Sequence, residues 1–240
     1  MTDTISAHDN QTDIELSSPP STVGPSAMHI FNVPLLRATA DNLIGFGRPV
    51  TNFKDAGCDI TPFPLNGWRT AVPGTGIEGG VVEDVFTNER KGLIQYAVNV
   101  GLGRKYIIGW YGNDPAAAAT TPPNATEETD FILTHEANYH ADGGQVFCAR
   151  EMAPFVLLLA PKGDDITPSS FRAFLIDPKF NGIIGVHVDA GTWHQPAFTL
   201  SGEGTLDNRQ GKIHSCVAVS FIKEFNGYLR VPLTRSALVD

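Results

Sequence analysis

Several features that mark particular protein classes are scarce or missing in this chain of 240 residues. Its three cysteines, Cys58, Cys148 and Cys216, are too few and too widely spaced for a disulfide framework or a zinc knuckle. No apolar run approaches the roughly 20 residues that a membrane-spanning helix needs. No basic segment followed by an apolar stretch marks a signal peptide. We therefore expect a protein of the reducing cytoplasm that has no membrane partner.

Basic charge is also scarce, because 17 Lys and Arg residues face 26 Asp and Glu residues, which gives a net charge of −9. Without a basic cluster, this balance argues against a nucleic-acid partner. Long amphipathic helices are missing as well, whereas 24 glycines and 17 prolines predict many turns between short strands. The length is compatible with a single all-β domain.

The pattern along the chain predicts one folded unit with an extension. Residues 1–27 are rich in Ser, Thr, Asp and Pro and predict a flexible N-terminal tail, and residues 28–240 then form a single domain. Ala38–Phe46 is predicted as a short helix that Thr39 caps. Residues 57–82 carry many Gly and Pro residues and predict a long loop, a type of segment that is often functional.

From Gly92 onward, β-branched and aromatic residues recur in short runs that are bounded by Gly, Pro, Asn or Asp. Strands that follow one another through short turns indicate a sandwich or a barrel. The predicted strands are Leu93–Val100, Lys105–Trp110, Gln145–Cys148, Phe155–Ala160, Phe171–Ile176, Ile183–Val188 and Ile213–Ile222.

Four of the seven histidines fall in two short stretches, Thr134–Phe147 and Gly185–Phe198. These stretches resemble the paired motifs of the cupin superfamily. In a cupin, the matching positions lie on neighbouring strands and point inward, because residues two apart on a strand share a face. The positions in this chain are Asn138, His140, Gln145, Gly191 and His194. The resemblance implies an all-β, cupin-like double-stranded β-barrel (a jelly roll) with a few short helices.

The same resemblance implies a divalent metal ion or a small ligand at the barrel mouth, with His140, His194 and Gln145 as the candidate metal ligands. Two positions depart from the usual motif, since Asn138 stands in place of a histidine and Gln145 in place of a glutamate. Neutral amide oxygens bind divalent cations more weakly than imidazole or carboxylate groups. The same groups could equally hold a substrate by hydrogen bonds, without a metal.

A wider set of residues in and around these two stretches forms a more specific pattern. The set is His135, Glu136, His140, Gln145, Phe147, Phe171, Arg172, Ala173, Phe174, Gly185, Val186, Gly191, Trp193, His194, Pro196 and the segment Leu43–Val50. This pattern resembles the ureidoglycolate lyase family of cupins over roughly residues 30–55 and 90–225. The resemblance implies a carbon–nitrogen lyase of allantoin and purine breakdown that cleaves ureidoglycolate, a small carboxylate, into glyoxylate and urea. Because cupins commonly pair through their strand edges, a homodimer is also expected.

Cleavage of ureidoglycolate needs a base for the hydroxyl proton, an acid for the departing nitrogen and a cation for the carboxylate. His140 and His194 can act as this acid–base pair or as metal ligands, but they cannot fully do both. The remaining candidates are Glu136 and Gln145 in catalysis, and Arg172, Arg69, His187 and Trp193 in substrate binding.

Sequence alone leaves several alternatives open. The chain can be another metal-dependent cupin enzyme, such as an isomerase, a hydrolase or an oxygenase, or a cupin that binds a small acid without catalysis. His187 points either into the barrel with His194 or toward solvent. Trp193 can also be a core residue, which is a commoner role of tryptophan than ligand binding.

Overall fold

The computed structural model describes residues 28–60, 78–101, 103–124, 130–141, 143–213 and 216–239. The predicted N-terminal tail, residues 1–27, lies outside the described residues. The strands are β1 (His29–Asn32), β2 (Leu35–Arg37), β3 (Gly47–Val50), β4 (Glu78–Lys91), β5 (Ile94–Asn99), β6 (Arg104–Tyr111), β7 (Phe131–Thr134), β8 (Glu136–His140), β9 (Gln145–Ala149), β10 (Phe155–Ala160), β11 (Arg172–Ile176), β12 (Gly185–Val188), β13 (Trp193–His194), β14 (Phe198–Thr199), β15 (Gly204–Ile213), β16 (Cys216–Ser220) and β17 (Gly227–Pro232). The α-helices are α1 (Pro115–Thr120), α2 (Pro178–Asn181) and α3 (Phe221–Phe225).

These strands form two sheets. The larger sheet has the order β1-β17-β7-β6-β5-β4-β15-β9-β12-β3, and the smaller has the order β16-β8-β13-β10-β11-β2, with β14 also paired to β10. Most neighbours are antiparallel, and the β1–β17 and β2–β11 pairs are parallel. The prediction of an all-β, cupin-like fold with a few short helices is therefore confirmed.

Each of the seven predicted strands contains or overlaps an observed strand, and Phe155–Ala160 is observed with the predicted bounds. The end of the predicted strand Ile213–Ile222 is wrong, because Phe221 and Ile222 belong to α3. The predicted helix over Ala38–Phe46 is wrong, because this segment forms consecutive turns. Thr39 does cap its start, since Thr39 Oγ1 accepts from the Asn42 amide at 3.1 Å. Gly45 then adopts a φ of 85°, which a right-handed helix cannot accommodate.

The predicted loop over residues 57–82 is only partly described. Residues 61–77 lie outside the described residues, and the last part of the predicted loop is wrong because β4 already begins at Glu78. β4 pairs with β15, and both are polar enough that their strand character was missed in the sequence. None of the helices in the described ranges is long and apolar enough to cross a bilayer.

Alternation along β9 separates two faces of the larger sheet. Gln145 and Phe147 point to one side, where Phe147 packs against Phe86 at 5.8 Å between ring centroids. Val146 and Cys148 point to the other side and belong to a separate apolar cluster. The side that carries Gln145 and Phe147 is the inner face, since it meets the histidines of the smaller sheet.

Candidate active site

The predicted histidine pair lies on one face of the smaller sheet. His140 ends β8 and His194 ends β13. Backbone pairing places Asn138 opposite His194, and Cys216 opposite His140. Because paired residues of antiparallel strands point to the same side, these four side chains share a face.

Gln145 reaches this face from the larger sheet and joins the two histidines. His140 Nε2 lies 3.1 Å from Gln145 Oε1, and His194 Nε2 lies 2.9 Å from the same oxygen. The imidazole centroids are 4.9 Å apart, with an angle of 70° between the rings. All three side chains are buried. The structure thus brings three predicted site residues together, and we call them the His–Gln–His cluster.

Neighbouring groups fix the orientation of the His–Gln–His cluster. His194 Nδ1 lies 2.8 Å from the Thr192 carbonyl oxygen, which can only accept, so this nitrogen carries a proton and donates it. Gln145 Nε2 donates to Asn208 Oδ1 at 2.9 Å, which turns Gln145 Oε1 toward the imidazoles. The Phe147 ring lies 6.2 Å from the His194 ring and forms an apolar wall.

Two imidazole nitrogens and one amide oxygen converge in the cluster, and this ligand set fits a divalent ion that accepts imidazole. All three ligands are neutral, and the described residues contain no group of three or more His, Cys, Asp or Glu residues that could hold a metal. The cluster therefore fits a weakly held ion better than a structural metal, whose sites are usually rich in histidine, thiolate or carboxylate.

Glu136 lies at the opposite end of β8 from His140, roughly 13 Å along the strand. Its Oε2 lies 3.5 Å from His135 Nε2, and the His135 ring packs 5.0 Å from the Trp110 ring. Burial raises the pKa of Glu136 to about 7 and lowers the pKa of His135 to about 4. The structure therefore places Glu136, whose side chain is 16% exposed, in a separate pair with the buried His135 and not beside the His–Gln–His cluster.

Replacing Glu136 with glutamine is expected to stabilise the fold at pH 8 but not at pH 4.5. The folded-state pKa of about 7 lies above the usual value of 4.5. The stability associated with the neutral carboxyl is therefore full below about pH 4.5 and is lost as the pH rises to about 7. Glutamine mimics the neutral form, so the gain at pH 8 should reach about 3 kcal/mol.

Guanidinium denaturation of both proteins at the two pH values measures this gain. Glu203→Gln is the matched control, because Glu203 is exposed and its replacement should change stability little at either pH. An equal effect of Glu136→Gln at pH 4.5 and pH 8 would contradict the assigned burial of the charge.

Trp193 points to the opposite side of the smaller sheet from His194, as adjacent residues on a strand must. Its ring packs edge-on against Tyr139 at 4.7 Å, and Nε1 donates to the Gly163 carbonyl at 2.9 Å. The side chain is fully buried. The structure thus gives Trp193 a core position and does not bring it to the His–Gln–His cluster.

His187 lies on the outer face of the larger sheet, since its partner on β9 is Val146 and not Gln145. Its Nε2 lies 3.6 Å from Asp59 Oδ2, and its Nδ1 lies 3.7 Å from Asp189 Oδ1. Burial lowers the pKa of His187. Of the two orientations that the sequence left open, the structure has the one that points away from the His–Gln–His cluster.

Arg172 shares a face with His194, because both are paired with Leu159 on the intervening strand β10. Its Nη1 donates to the carbonyl oxygens of Ser169 and Phe171, each at 2.7 Å. The side chain lines a cavity of about 270 Å³. The other predicted carboxylate-binding arginine, Arg69, lies outside the described residues.

Asn208, Gln210 and Asp84 also lie on the inner face but were missed in the sequence. Asn208 contacts Gln145 directly, Gln210 is the backbone partner of Gln145, and Asp84 is the backbone partner of Asn208. Amide side chains on a polar strand do not form a recognisable sequence motif. The only available signal was the spacing of Asn208 and Gln210, which places both on one face of an extended segment.

Comparison with known proteins points in one direction. A family model described as ureidoglycolate lyase matches residues 126–225, a range that contains the whole His–Gln–His cluster. A ureidoglycolate lyase from Stutzerimonas stutzeri (strain A1501) is 32% identical over 143 residues, which cover 57% of this chain and 81% of that protein.

Shorter matches agree with this result. A ureidoglycolate lyase from Azotobacter vinelandii is 38% identical over 79 residues, which cover 32% of this chain and 45% of that protein. One from Pseudomonas aeruginosa (strain LESB58) is 34% identical over 79 residues, covering 32% of this chain and 44% of that protein. With four fifths of the Stutzerimonas protein covered, this chain belongs to the ureidoglycolate lyase family.

Proposed function

We propose that this chain is a carbon–nitrogen lyase that cleaves ureidoglycolate into glyoxylate and urea. The observation that carries the proposal is the buried His–Gln–His cluster, which lies within the region that matches the family. Two imidazoles that meet on one side chain supply the acid and the base that this reaction needs.

The bond changes define the task of each group. The substrate carbon bears a hydroxyl, a carboxylate and the ureido nitrogen. Removal of the hydroxyl proton forms the aldehyde of glyoxylate as the carbon–nitrogen bond breaks, and the nitrogen takes up a proton to leave as urea. An enzyme must therefore hold a proton acceptor near the hydroxyl and a proton donor near the nitrogen.

His194 is suited to the role of acid. Its Nδ1 is held by the Thr192 carbonyl, so Nε2 is the atom that faces the cluster. A proton on this Nε2 completes the contact with Gln145 Oε1 and is available to the departing nitrogen. His140 is the second imidazole of the cluster. Its Nε2 donates while it contacts Gln145 Oε1, so it takes the hydroxyl proton only in the tautomer that leaves Nε2 unprotonated and turned from that oxygen to the substrate.

A divalent ion is the second candidate for part of this chemistry, because three ligand atoms of the cluster converge. His140, His194 and Gln145 would hold the ion, which when bound would polarise a substrate oxygen. The imidazoles would then be ligands and not proton carriers.

The proposed roles of Arg172 and Arg69 in carboxylate binding stay predictions, as do a homodimer and a cytoplasmic location.

Incubation of the purified full chain with ureidoglycolate tests the proposal. We expect glyoxylate and urea in equal amounts, faster than the decay of the substrate without enzyme. Ammonia in place of urea, or no product above the background decay, would contradict the proposal, and unchanged substrate that stays bound would identify a binding protein.

The same assay after dialysis against a chelator tests whether the activity requires a metal ion. Full activity without a metal supports the acid–base pair, whereas activity that is lost on chelation and restored by one divalent ion assigns the imidazoles as ligands.

A further inference from the structure

Three polar residues form a strip on the inner face of the larger sheet, next to the His–Gln–His cluster. Asn208 bonds to Gln145, and Gln210 is the backbone partner of Gln145, so both point inward. Asp84 is the backbone partner of Asn208 on β4 and therefore shares this face. We call Asp84, Asn208 and Gln210 the polar strip.

Each residue of the polar strip has a buried polar atom without a hydrogen-bond partner among the described residues. These atoms are Asn208 Nδ2, Gln210 Nε2 and Asp84 Oδ2. The residues are 0%, 2% and 9% exposed. A buried polar group without a partner costs about 1–3 kcal/mol, so three of them side by side indicate a place where a ligand supplies the partners.

The other ends of two of these side chains are already anchored, which fixes the direction of the unpartnered atoms. Asn208 Oδ1 accepts from Gln145 Nε2. Asp84 Oδ1 accepts from the amides of Val85 and Gly101, both at 2.6 Å. The polar strip thus offers an N–H donor group of Asn208 and a carboxylate acceptor of Asp84 in fixed directions, and Gln210 adds a second N–H donor group beside them.

We propose that the polar strip binds the ureido end of the substrate, an inference that rests on the function proposed above. A ureido group has a carbonyl oxygen for the amide donors of Asn208 and Gln210, and N–H groups for Asp84 Oδ2. A carboxylate has no N–H to donate, and the charge of Asp84 would repel it. The strip therefore recognises the neutral end of the molecule and leaves the carbinol carbon near the His–Gln–His cluster.

Calorimetric binding measurements on the full chain test this inference without turnover. Oxalurate keeps the carboxylate and the ureido group but has a carbonyl in place of the carbinol, whereas glycolate keeps the carboxylate and hydroxyl and lacks the ureido group. Gln210→Met removes one donor while keeping the side-chain length. We expect this variant to bind oxalurate about tenfold more weakly than the parent protein does. Its affinity for glycolate should stay within about twofold of the parent value.

Asp84→Asn is a second variant, because it keeps Oδ1 for the two backbone amides and turns only the acceptor Oδ2 into a donor. This variant should also bind oxalurate about tenfold more weakly than the parent protein, and it should bind glycolate at least as well as the parent protein does. Asp207→Asn is the control. Asp207 lies on the same strand as Asn208, on the outer face, where it pairs with Arg150, so both ligands should bind as in the parent protein.

The outcomes separate this inference from the proposed function. Equal weakening of oxalurate and glycolate by Gln210→Met, or no binding of oxalurate to the parent protein, would overturn the role of the polar strip. Oxalurate binding that depends on Gln210 in a protein that releases no urea would support the strip and count against the lyase alone.

Discussion

Replacement of His194 by glutamine is expected to lower kcat/KM for ureidoglycolate by about 10²- to 10⁴-fold, the usual contribution of a positioned acid or base. Glutamine can keep a contact with Gln145 but cannot carry a proton to the leaving nitrogen. His140→Gln should have an effect of the same order. The double variant should be little worse than either single one, because both imidazoles act through one cluster.

A matched histidine control separates this effect from general damage. His29 is exposed on β1, and His29→Gln should keep full activity. Because His194 is buried, the melting temperature of each variant must be measured beside its rate. A folded His194→Gln protein that keeps more than a tenth of the activity would exclude His194 as the acid.

Replacement of Gly185 by alanine is expected to have the largest effect on stability. A Cβ at this position would overlap the Phe147 carbonyl oxygen and Cys148 Sγ, and would lie 2.8 Å from Cys148 Cα. The clash is with the backbone of the neighbouring strand β9, which also carries Gln145. Relief requires separation of β9 and β12, so we expect a loss of about 3 kcal/mol or more, or no folded protein.

Gly57→Ala is the control for this substitution. A Cβ at Gly57 would meet no atom within 4 Å, and Gly57 does not have a positive φ. This variant should be neutral or more stable by a few tenths of a kcal/mol, because alanine restricts the unfolded chain. Denaturant midpoints of the three proteins measure the difference. A Gly185→Ala protein as stable as the parent would contradict the close approach of β9 and β12.

The strands were predicted from local composition, and for this reason some strands were recognised in the sequence and others were missed. Phe155–Ala160 is apolar throughout and bounded by proline, so it is recognisable as a buried strand without any tertiary information. β4 and β15 carry many polar residues, and their pairing with each other holds them in place. The predicted helix at Ala38–Phe46 has a capping residue, but the positive φ of Gly45 is incompatible with a helix, and the segment forms turns.

The histidine pair was predictable because the motif spacing resembles that of a family, and the structure joins His140, His194 and Gln145 as that resemblance implies. Glu136 was a candidate for the same reason. The sequence did not show that Glu136 and His140 lie at the two ends of one strand, β8, which separates their side chains. It also did not show that His135, beside Glu136, packs on Trp110.

The sequence by itself determined the fold class, through apolar runs such as Phe155–Ala160, and the family, through the motif residues around His140 and His194. Only the tertiary structure decided which face of each strand lies on the inside of the sandwich. β12 is buried on both faces, so the alternation of Val186, His187 and Val188 could not show whether His187 faces the cluster. The polar strip likewise exists only because β4, β15 and β9 lie side by side, and pairing between distant segments leaves no local pattern in the chain.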